Sequence, residues 1–437
     1  MRRDFFFSQT LRASFSELSG RHVAIALLGV LDALLLCWGS EGSTAQQLIA
    51  VLAAASVGTA ALIWIALDER FARTPLVWIV GLALLLRLIA VAASPLLEDD
   101  HYRYLWDGFR TLSAFDPYHL PPTAFFGDDT LPLLWQDVLS GINNPAIPTL
   151  YGPVLQYLFA LASWFAPGQV GAIQALLLLI DMAVLALLIR QGVGARGLLV
   201  YALHPLILKE AMASAHPDGL IALLLLLAWM AWQQRRALAL GAVLGIAVAT
   251  KVSALAVLPL CMLAPQFLDH TNRQRWMWCC KVLTSLGLVL SALYLPFILA
   301  SGSDVAALGI FGEQWRFNPL LFRFVDALVP GLPGRVVAAL LIIATIVMLM
   351  WRQARAQNSG APPFDSALVA LLLLAPVVNA WYWLWALPLS LQHGRVLVAS
   401  VACVSVLAYL NSTVLCEAGY CGAAEATSTA YYVPWVI

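Results

Sequence analysis

Charged residues are scarce in this 437-residue chain: Asp, Glu, Lys and Arg together occupy 11% of the positions. A soluble domain needs about twice that share to cover its surface. Hydrophobic residues make up 62% of the sequence. Apolar runs long enough to cross a hydrocarbon core of about 30 Å as helices recur along nearly the whole chain. The composition therefore excludes a soluble fold and predicts an all-α polytopic membrane protein.

Three further absences narrow the function. The formal net charge is zero, so nothing indicates a nucleic-acid partner. The seven cysteines show no CxxC spacing, which leaves no signal for a zinc or iron–sulfur site. The sequence leaves open whether Cys416 and Cys421 form a disulfide on the outer side or remain two free thiols. The loops contain no Walker motif and no Rossmann fingerprint, so the sequence lacks a cradle for a nucleotide-sugar donor.

The apolar segments predict one integral membrane domain over residues 1–437. We expect about 13 crossings plus one partial or re-entrant helix. No small-residue cleavage site follows the first run, so we interpret it as a membrane helix. The segments lie near residues 23–39, 44–67, 74–95, 151–166, 170–190, 198–213, 218–233, 237–250, 252–266, 277–299, 334–351, 363–378, 380–393 and 396–413.

Basic residues set the expected orientation, because they concentrate on the cytoplasmic side of membrane proteins. The clusters run from Arg2 and Arg3 to Arg352 and Arg355 and place the amino terminus inside. If the segments 151–166 and 170–190 both crossed fully, Arg190 would lie outside. Residues 151–166 can therefore cross only partly. Two large outer loops result, at 96–150 and 300–333; the first holds eight of the 24 acidic residues and two basic ones.

The stretch EDDHYRYLWDG at residues 98–108 stands out in the first outer loop. Apolar and polar side chains separate there at helical spacing, which predicts an amphipathic helix lying at the membrane surface. We expect its carboxylates to face a cavity between the loop and the bundle, where one of them can accept a proton from an attacking hydroxyl. Asp100 is the candidate base, with Tyr102, Arg103 and Asp107 beside it. For Asp99 the sequence leaves two roles open: a second functional acid or a cap at the start of the helix.

Other polar residues within or beside the spans are further candidates, because ionisable groups there usually face a cavity or a partner. His216 and Asp218 flank a proline in an outer turn, where they contact the sugar, the phosphate or a divalent metal, or merely form a capped turn. Two ligands at this spacing are too few to specify a metal. Lys251, in the outer half of the membrane, either binds a phosphate oxygen or extends to the interface.

Aromatic residues accompany the remaining candidates. Arg316 lies between two aromatic side chains in the second outer loop and is followed by Asn318. Arginine binds phosphate through paired donors, and aromatic faces stack on sugar rings. The competing interpretation is that such aromatic residues anchor the chain at the membrane interface. The same two interpretations apply to Trp381 and Tyr382.

Several motifs in this sequence resemble the bacterial polyprenol-phosphate-mannose-dependent mannosyltransferases and their relatives in the GT-C superfamily. The most specific is EDDHYRYLWDG with the trailing Asp116-Pro117-Tyr118. The others are YGPVLQYLFAL at 151–161, HPLILKEAMASAHPDG at 204–219, ATKVSALAVLP at 249–259 and APVVNAWYWLWALP at 375–388. In such enzymes an aspartate of the first large external loop is the general base, and Asp100 stands at that position. His101 and Asn379 depart from the pattern, which leaves the sugar and the acceptor open.

The resemblance implies a GT-C fold and an inverting glycosyltransferase that moves a sugar, mannose above all, from a polyprenyl-phosphate carrier to a lipid or glycan hydroxyl. It implies no required cofactor, with a divalent metal left open, and a bacterial inner membrane location with the active site facing the periplasm or exterior. The rivals are a polytopic transporter or lipid-linked-sugar flippase, and a silent scaffold subunit. Because the polar residues gather at one predicted face rather than at the midplane, the sequence favours the enzyme.

Overall fold

The computed structural model describes residues 18–263, 272–355, 362–395, 397–410 and 414–415. Within these ranges every regular element is helical, apart from an isolated bridge between Phe317 and Val377. The predicted all-α class is therefore confirmed. Cys416 and Cys421, and with them the question of a disulfide, lie outside the described residues.

The α-helices are numbered along the chain. They are α1 (Gly20–Ser40), α2 (Thr44–Leu67), α3 (Leu76–Ala90), α4 (Asp100–Ala114), α5 (Leu133–Ser140), α6 (Pro153–Phe165), α7 (Val170–Arg190), α8 (Ala195–Ala202), α9 (Gly219–Gln233), α10 (Ala237–Thr250), α11 (Leu258–Met262), α12 (Asn272–Ala300), α13 (Val305–Gln314), α14 (Phe322–Leu328), α15 (Leu332–Arg355), α16 (Phe364–Leu374), α17 (Leu387–Gln392) and α18 (Leu397–Val404). A π-helix covers Ile207–Ala213, and short 3-10 helices cover Glu69–Arg73, Pro122–Phe125, Val252–Val257, Ala380–Trp385 and Ser405–Tyr409.

Long apolar helices make this chain a polytopic membrane protein. In the part of the chain that the structure describes, five helices are long and apolar enough to span a membrane: α1, α2, α7, α12 and α15. Seven apolar helical segments are shorter, at 10–17 residues. A helix of that length reaches at most about 26 Å, which is less than a typical hydrocarbon core.

Two of the expected crossings begin with a 3-10 helix rather than with an α-helix. The run 252–266 begins with a 3-10 helix before α11, and the run 380–393 begins with a 3-10 helix before α17. Pro259 and Pro388 each fall at the second residue of the following α-helix, where the missing N–H costs no hydrogen bond. Non-helical backbone at membrane depth persists only where protein or a water-filled cavity shelters it. In the second of these segments Ala380, Trp381, Trp383, Leu384 and Trp385 are buried, so protein shelters that 3-10 helix.

The chain divides into two compact units. The first unit comprises the described residues of Met1–Glu98, Gln174–Gly219 and Ser390–Ile437, and the second those of Asp99–Ile173 and Leu220–Leu389. In the first unit, Arg87 and Asp181 form a buried ion pair with an N···O distance of 2.7 Å. The Arg87 guanidinium also donates to the Tyr201 carbonyl at 3.1 Å, and the Tyr201 hydroxyl donates to Asp181 at 2.6 Å. The buried charges are thus paired and hydrogen-bonded, as a low-dielectric interior requires.

Close helix packing in the second unit depends on glycine. A Cβ added at Gly108 in α4 would overlap the carbonyl oxygen of Phe159 in α6, and one added at Gly241 in α10 would overlap that of Val282 in α12. Helix α6 has 13 residues and a length of about 20 Å, too short for a full crossing. Several helices expected to cross fully are similarly short, so the partial crossing of residues 151–166 stays a prediction. The pairing of α6 with α4 holds the acidic loop, residues 96–150, in place.

Candidate active site

The amphipathic helix predicted in the acidic loop, residues 96–150, is present and begins at Asp100. Asp99 occupies its N-cap position, but the Asp99 side chain makes no capping hydrogen bond. The Asp99 carboxylate instead accepts a hydrogen bond from the side-chain amide of Asn143. The local geometry therefore does not support the capping role, and it places Asp99 in a cluster with Asp100.

The two carboxylate oxygens of Asp100 have different hydrogen-bond partners. Oδ1 accepts a hydrogen bond from Asn143 Nδ2 at 3.2 Å. Oδ2 faces two phenols, the hydroxyl of Tyr104 at 3.4 Å and that of Tyr151 at 3.5 Å. These two O···O distances exceed the usual 2.5–3.0 Å of such bonds, so both are weak. A carboxylate held in this way can accept a proton at Oδ2 while the amide fixes Oδ1.

Arg103 shapes the loop that faces Asp100. Its side chain is 7% exposed, and its terminal nitrogens donate to the backbone carbonyls of Ile147 at 3.0 Å and Asn144 at 3.1 Å. These bonds tie the start of α4 to the backbone of residues 144–147. The structure thus gives Arg103 a role in loop architecture, and its predicted contact with substrate stays a prediction.

Asp107 is buried beneath the same loop. Its Oδ2 accepts hydrogen bonds from the Thr149 hydroxyl and, at 3.1 Å, from Gln156 Nε2. Burial raises the pKa of Asp107 to about 6, although Arg103 and the two hydrogen bonds partly offset that rise. Contrary to expectation, this carboxylate does not face an open cavity, because the loop residues and α6 cover the polar side of α4. Its predicted role in substrate binding stays untested.

Tyr102 lies on the opposite part of the helix surface. Its ring lies 4.1 Å from the His101 ring, centroid to centroid, at a tilt of 35°, and it leaves no room for a Cβ at Gly141. The residue therefore packs against the loop segment just before Asn143. Whether it also contacts a sugar remains a prediction.

Tyr151 joins the loop to the end of α10. Its N–H donates to Thr149 Oγ1 at 3.2 Å, and its carbonyl accepts a hydrogen bond from the Tyr118 hydroxyl at 2.9 Å. The next residue, Gly152, lies so close to the Ala249 carbonyl that no Cβ fits between them. Burial, followed by the nearby Asp100 charge, raises the pKa of Tyr151 well above its ordinary value. Tyr151 therefore stays a phenol and a hydrogen-bond donor.

Lys251 lies at the break after α10 in an extended conformation, with φ −150° and ψ 126°. Its ammonium is 4.4 Å from the ring centroid of Tyr382 and 5.1 Å from that of Trp385. The two rings stack on each other at 4.5 Å. Tyr382 in turn contributes electrostatically to the raised pKa of Tyr151. The aromatic segment, the Lys251 break and the acidic loop thus meet within the second unit.

The loop at residues 300–333, predicted to lie outside, is fixed to the segment before the aromatic motif. Phe317 N–H donates to the Pro376 carbonyl at 3.1 Å, and the Asn318 side-chain amide donates to the Val378 carbonyl at 3.2 Å. Arg316 forms an ion pair with Asp326, and 42% of its side chain is exposed. Trp381 is buried, at 6% exposure. Asn318 therefore has a structural role, and the substrate contacts predicted for these three residues stay predictions.

His216 and Asp218 belong to the first unit, where both are buried. His216 Nδ1 lies 3.1 Å from Glu210 Oε2, and Lys209 Nζ lies 3.2 Å from the same oxygen. Lys209 and Glu210 thus pair with each other inside the protein. Among the described residues, no group of three or more His, Cys, Asp or Glu side chains could hold a metal ion. A metal at His216 and Asp218 therefore gains no support and stays a prediction.

The sequence analysis missed the residues that surround the two acids. Asn143, Tyr104 and the hydroxyl of Tyr151 all contact Asp100. Tyr104 and Tyr151 stand within the quoted motifs but were not singled out, and Asn143 stands in none of them. Asn143 belongs to an Asn-Asn-Pro triplet that predicts a turn and nothing more. Its function can be seen only once the loop is folded back onto the start of α4.

Residues 20–266 match the family model of the MptA_B family, described as alpha-(1->6)-mannopyranosyltransferase, N-terminal domain. The matched region covers more than half of the chain and contains the acidic loop and Lys251. No curated protein and no solved structure matches the chain significantly. The family match supports a transferase over the transporter, flippase and scaffold alternatives.

Proposed function

The chain belongs to the MptA_B family of alpha-(1->6)-mannopyranosyltransferases, and from this premise we propose that it transfers mannose from a polyprenyl-phosphate carrier to a hydroxyl of a glycolipid or lipid-linked glycan. The observation that carries the proposal is the meeting of the Asp100 carboxylate and the Lys251 segment through Tyr151 and Tyr382. A base and a cation near one another are what glycosyl transfer from a phosphate requires.

The reaction is a direct displacement at the anomeric carbon. Asp100 takes the proton from the acceptor hydroxyl, and the freed oxygen forms the new glycosidic bond. The bond between the anomeric carbon and the phosphate oxygen breaks, and the electron pair leaves with the polyprenyl phosphate. The Lys251 ammonium stabilises that departing charge through charge-assisted hydrogen bonds. Because a phosphate needs no general acid to leave, one carboxylate suffices, and a single displacement inverts the anomeric configuration.

A lipid-linked donor fits a chain of this kind. The loops carry no nucleotide motif, and Lys251 lies at a break between apolar helices, where a lipid phosphate can approach from the bilayer. The half-buried ring of Tyr382, beside Lys251, is the candidate for stacking on the sugar. The chemistry requires no cofactor, and dependence on a divalent metal is tested by adding a chelator to the same assay.

We place the reaction at the extracytoplasmic face of a bacterial inner membrane. Helix α7 ends at Arg190, α15 ends with Arg352 and Arg355 in its last turn, and α12 carries Arg273 in its first turn. The positive-inside rule assigns these helix ends to the cytoplasm. The opposite ends of α12 and α15 then bring the second outer loop, residues 300–333, to the exterior.

The test is transfer by Asp100→Asn in membranes supplied with radiolabelled polyprenyl-phosphate mannose. We expect the rate to fall by about 10² to 10⁴, because an amide cannot act as a base. Asp129→Asn is the matched control, since Asp129 is an exposed acid of the same loop and should retain activity. Wild-type activity in Asp100→Asn, with an intact fold, would refute the assignment.

A further inference from the structure

We propose that Asn143 is a positioning residue, which keeps the Asp99–Asp100 pair ionised and directs Asp100 Oδ2 toward the acceptor hydroxyl. The inference rests on the proposed function, because it takes Asp100 as the base. It goes further by assigning the reactive oxygen and the residue that controls its protonation. Nothing in the sequence pattern distinguishes Asn143 from its neighbour Asn144.

The side-chain amide of Asn143 contacts both acids. Its Nδ2 donates to Asp99 Oδ1 and to Asp100 Oδ1, the latter at 3.2 Å. Ionised carboxylates only accept hydrogen bonds, so the NH₂ group and not the amide oxygen has to face them. The two N–H bonds of one amide thus serve two adjacent acids. Asp100 Oδ2 is left opposite the phenols of Tyr104 and Tyr151 at 3.4 and 3.5 Å.

The backbone around Asn143 is held in place. Arg103 donates to the carbonyls of Asn144 and Ile147, and Ile147 N–H donates to the Asn144 carbonyl at 3.1 Å. Asn144 itself adopts a left-handed conformation with φ 48°, which asparagine tolerates better than most residues. The loop therefore presents the Asn143 amide to the two acids in a fixed direction.

The amide also affects the charge of the two acids. Two carboxylates that share a site repel each other, and one of them tends to keep its proton. A shared N–H donor stabilises both charges and so opposes that protonation. The preceding acid, Glu98, is hydrogen-bonded to Tyr409 in the first unit. Without the amide, a larger fraction of the enzyme would carry a proton on Asp99 or Asp100 at neutral pH, and that fraction cannot act as a base.

The titratable and charged groups around the pair lie on α4, in the loop and in the aromatic segment. On α4 the titratable neighbours are His101, Arg103 and Tyr104, and the Arg103 guanidinium is engaged with loop carbonyls. Tyr151 faces the pair from the loop, and Tyr382 and Lys251 lie on the far side of Tyr151. Tyr151 stays protonated near neutral pH. His101 and Asp107 are unchanged in every variant compared, so a shift of the acid limb that only the Asn143 variants show reports the pair.

The experiment compares Asn143→Asp with Asn144→Asp in the full-length protein. Both variants add one negative charge to the same loop, but only the first removes the shared donor and puts a third carboxylate beside the pair. We expect the acid limb of kcat/KM for Asn143→Asp to move up by about one pH unit or more, with at least a 10-fold loss at pH 6.5 and partial recovery at pH 8.5. KM should change less than kcat. Asn144→Asp should keep the wild-type profile.

Asn143→Ala provides a second measurement if the aspartate variant does not fold. It removes the donor without adding charge, so its acid limb should move in the same direction by a smaller amount. Wild-type pH profiles in the Asn143 variants, or a loss that is equal at all pH values, would overturn the inference. That outcome leaves the proposed function standing if Asp100→Asn is inactive, whereas an active Asp100→Asn enzyme would refute the proposed function itself.

Discussion

Replacing Asp107 by asparagine should stabilise the protein at neutral pH. Thr149 and Gln156 both donate to a single oxygen, Oδ2, of the Asp107 carboxylate. An asparagine oxygen at the same position can accept both bonds, so the substitution keeps the local geometry. What it removes is a buried negative charge.

The pH dependence follows from the raised pKa of Asp107. Its pKa is about 6 in the folded protein, against 3.8 for the free side chain. Between these values the folded state binds more protons than the unfolded state, so stability falls as the pH rises from about 4 to about 6. A shift of about two pKa units corresponds to about 3 kcal/mol. The charged Asp107 therefore costs wild type about that much at pH 7 and almost nothing below pH 4.

Thermal unfolding in a mild detergent measures this effect. At pH 7 we expect Asp107→Asn to unfold at a higher temperature than wild type, by a few degrees. The difference should shrink steadily as the pH is lowered toward 4. Asp129→Asn, which alters an exposed acid, should show no such pH-dependent gain. A destabilised Asp107→Asn protein at pH 7, or a difference that does not vary with pH, would refute this reasoning.

Two further substitutions test the junction between the loop and α10. Gly152→Ala forces a Cβ against the Ala249 carbonyl and should displace Tyr151, lowering kcat at least about 10-fold. Gly309→Ala, where a Cβ meets nothing within 4 Å, should leave the transfer rate unchanged; equal rates for the two variants would contradict the packing argument. Lys251→Met should lower kcat by about 10² or more because the ammonium at the leaving phosphate is lost. Retained kcat in Lys251→Met, measured with saturating donor, would exclude that role.

The sequence predicted the element that carries the candidate base. The alternation of apolar and charged residues over 98–112 specifies an amphipathic helix by local periodicity alone, and α4 occurs there. The amphipathic pattern did not predict that Arg103 and Asp107 would be buried. That burial depends on residues 143–156 folding back over α4, a contact between segments about 40 positions apart that periodicity cannot report.

The breaks near Lys251 and Trp381 were beyond prediction for a different reason. Both segments are apolar enough to read as continuous crossings, and hydropathy does not distinguish a helix from a 3-10 turn. The proline positions that restart α11 and α17 are visible in the sequence, but proline also occurs within membrane helices such as α12, which contains Pro296. Only tertiary packing decides whether such a residue interrupts a helix.

The most direct test of the account is the side of the membrane on which the acidic loop lies. Asp129 lies in the acidic loop, and Gln234 precedes Arg235 and Arg236, a basic pair that the positive-inside rule assigns to the cytoplasm. Both residues are exposed, and each is replaced by cysteine in a variant that lacks the seven native cysteines. A membrane-impermeant maleimide added to intact spheroplasts should label the cysteine at position 129 and not the one at 234, which labels only after lysis. Labelling at 234 alone would put Asp100 in the cytosol and contradict transfer from a lipid-linked donor at the outer face.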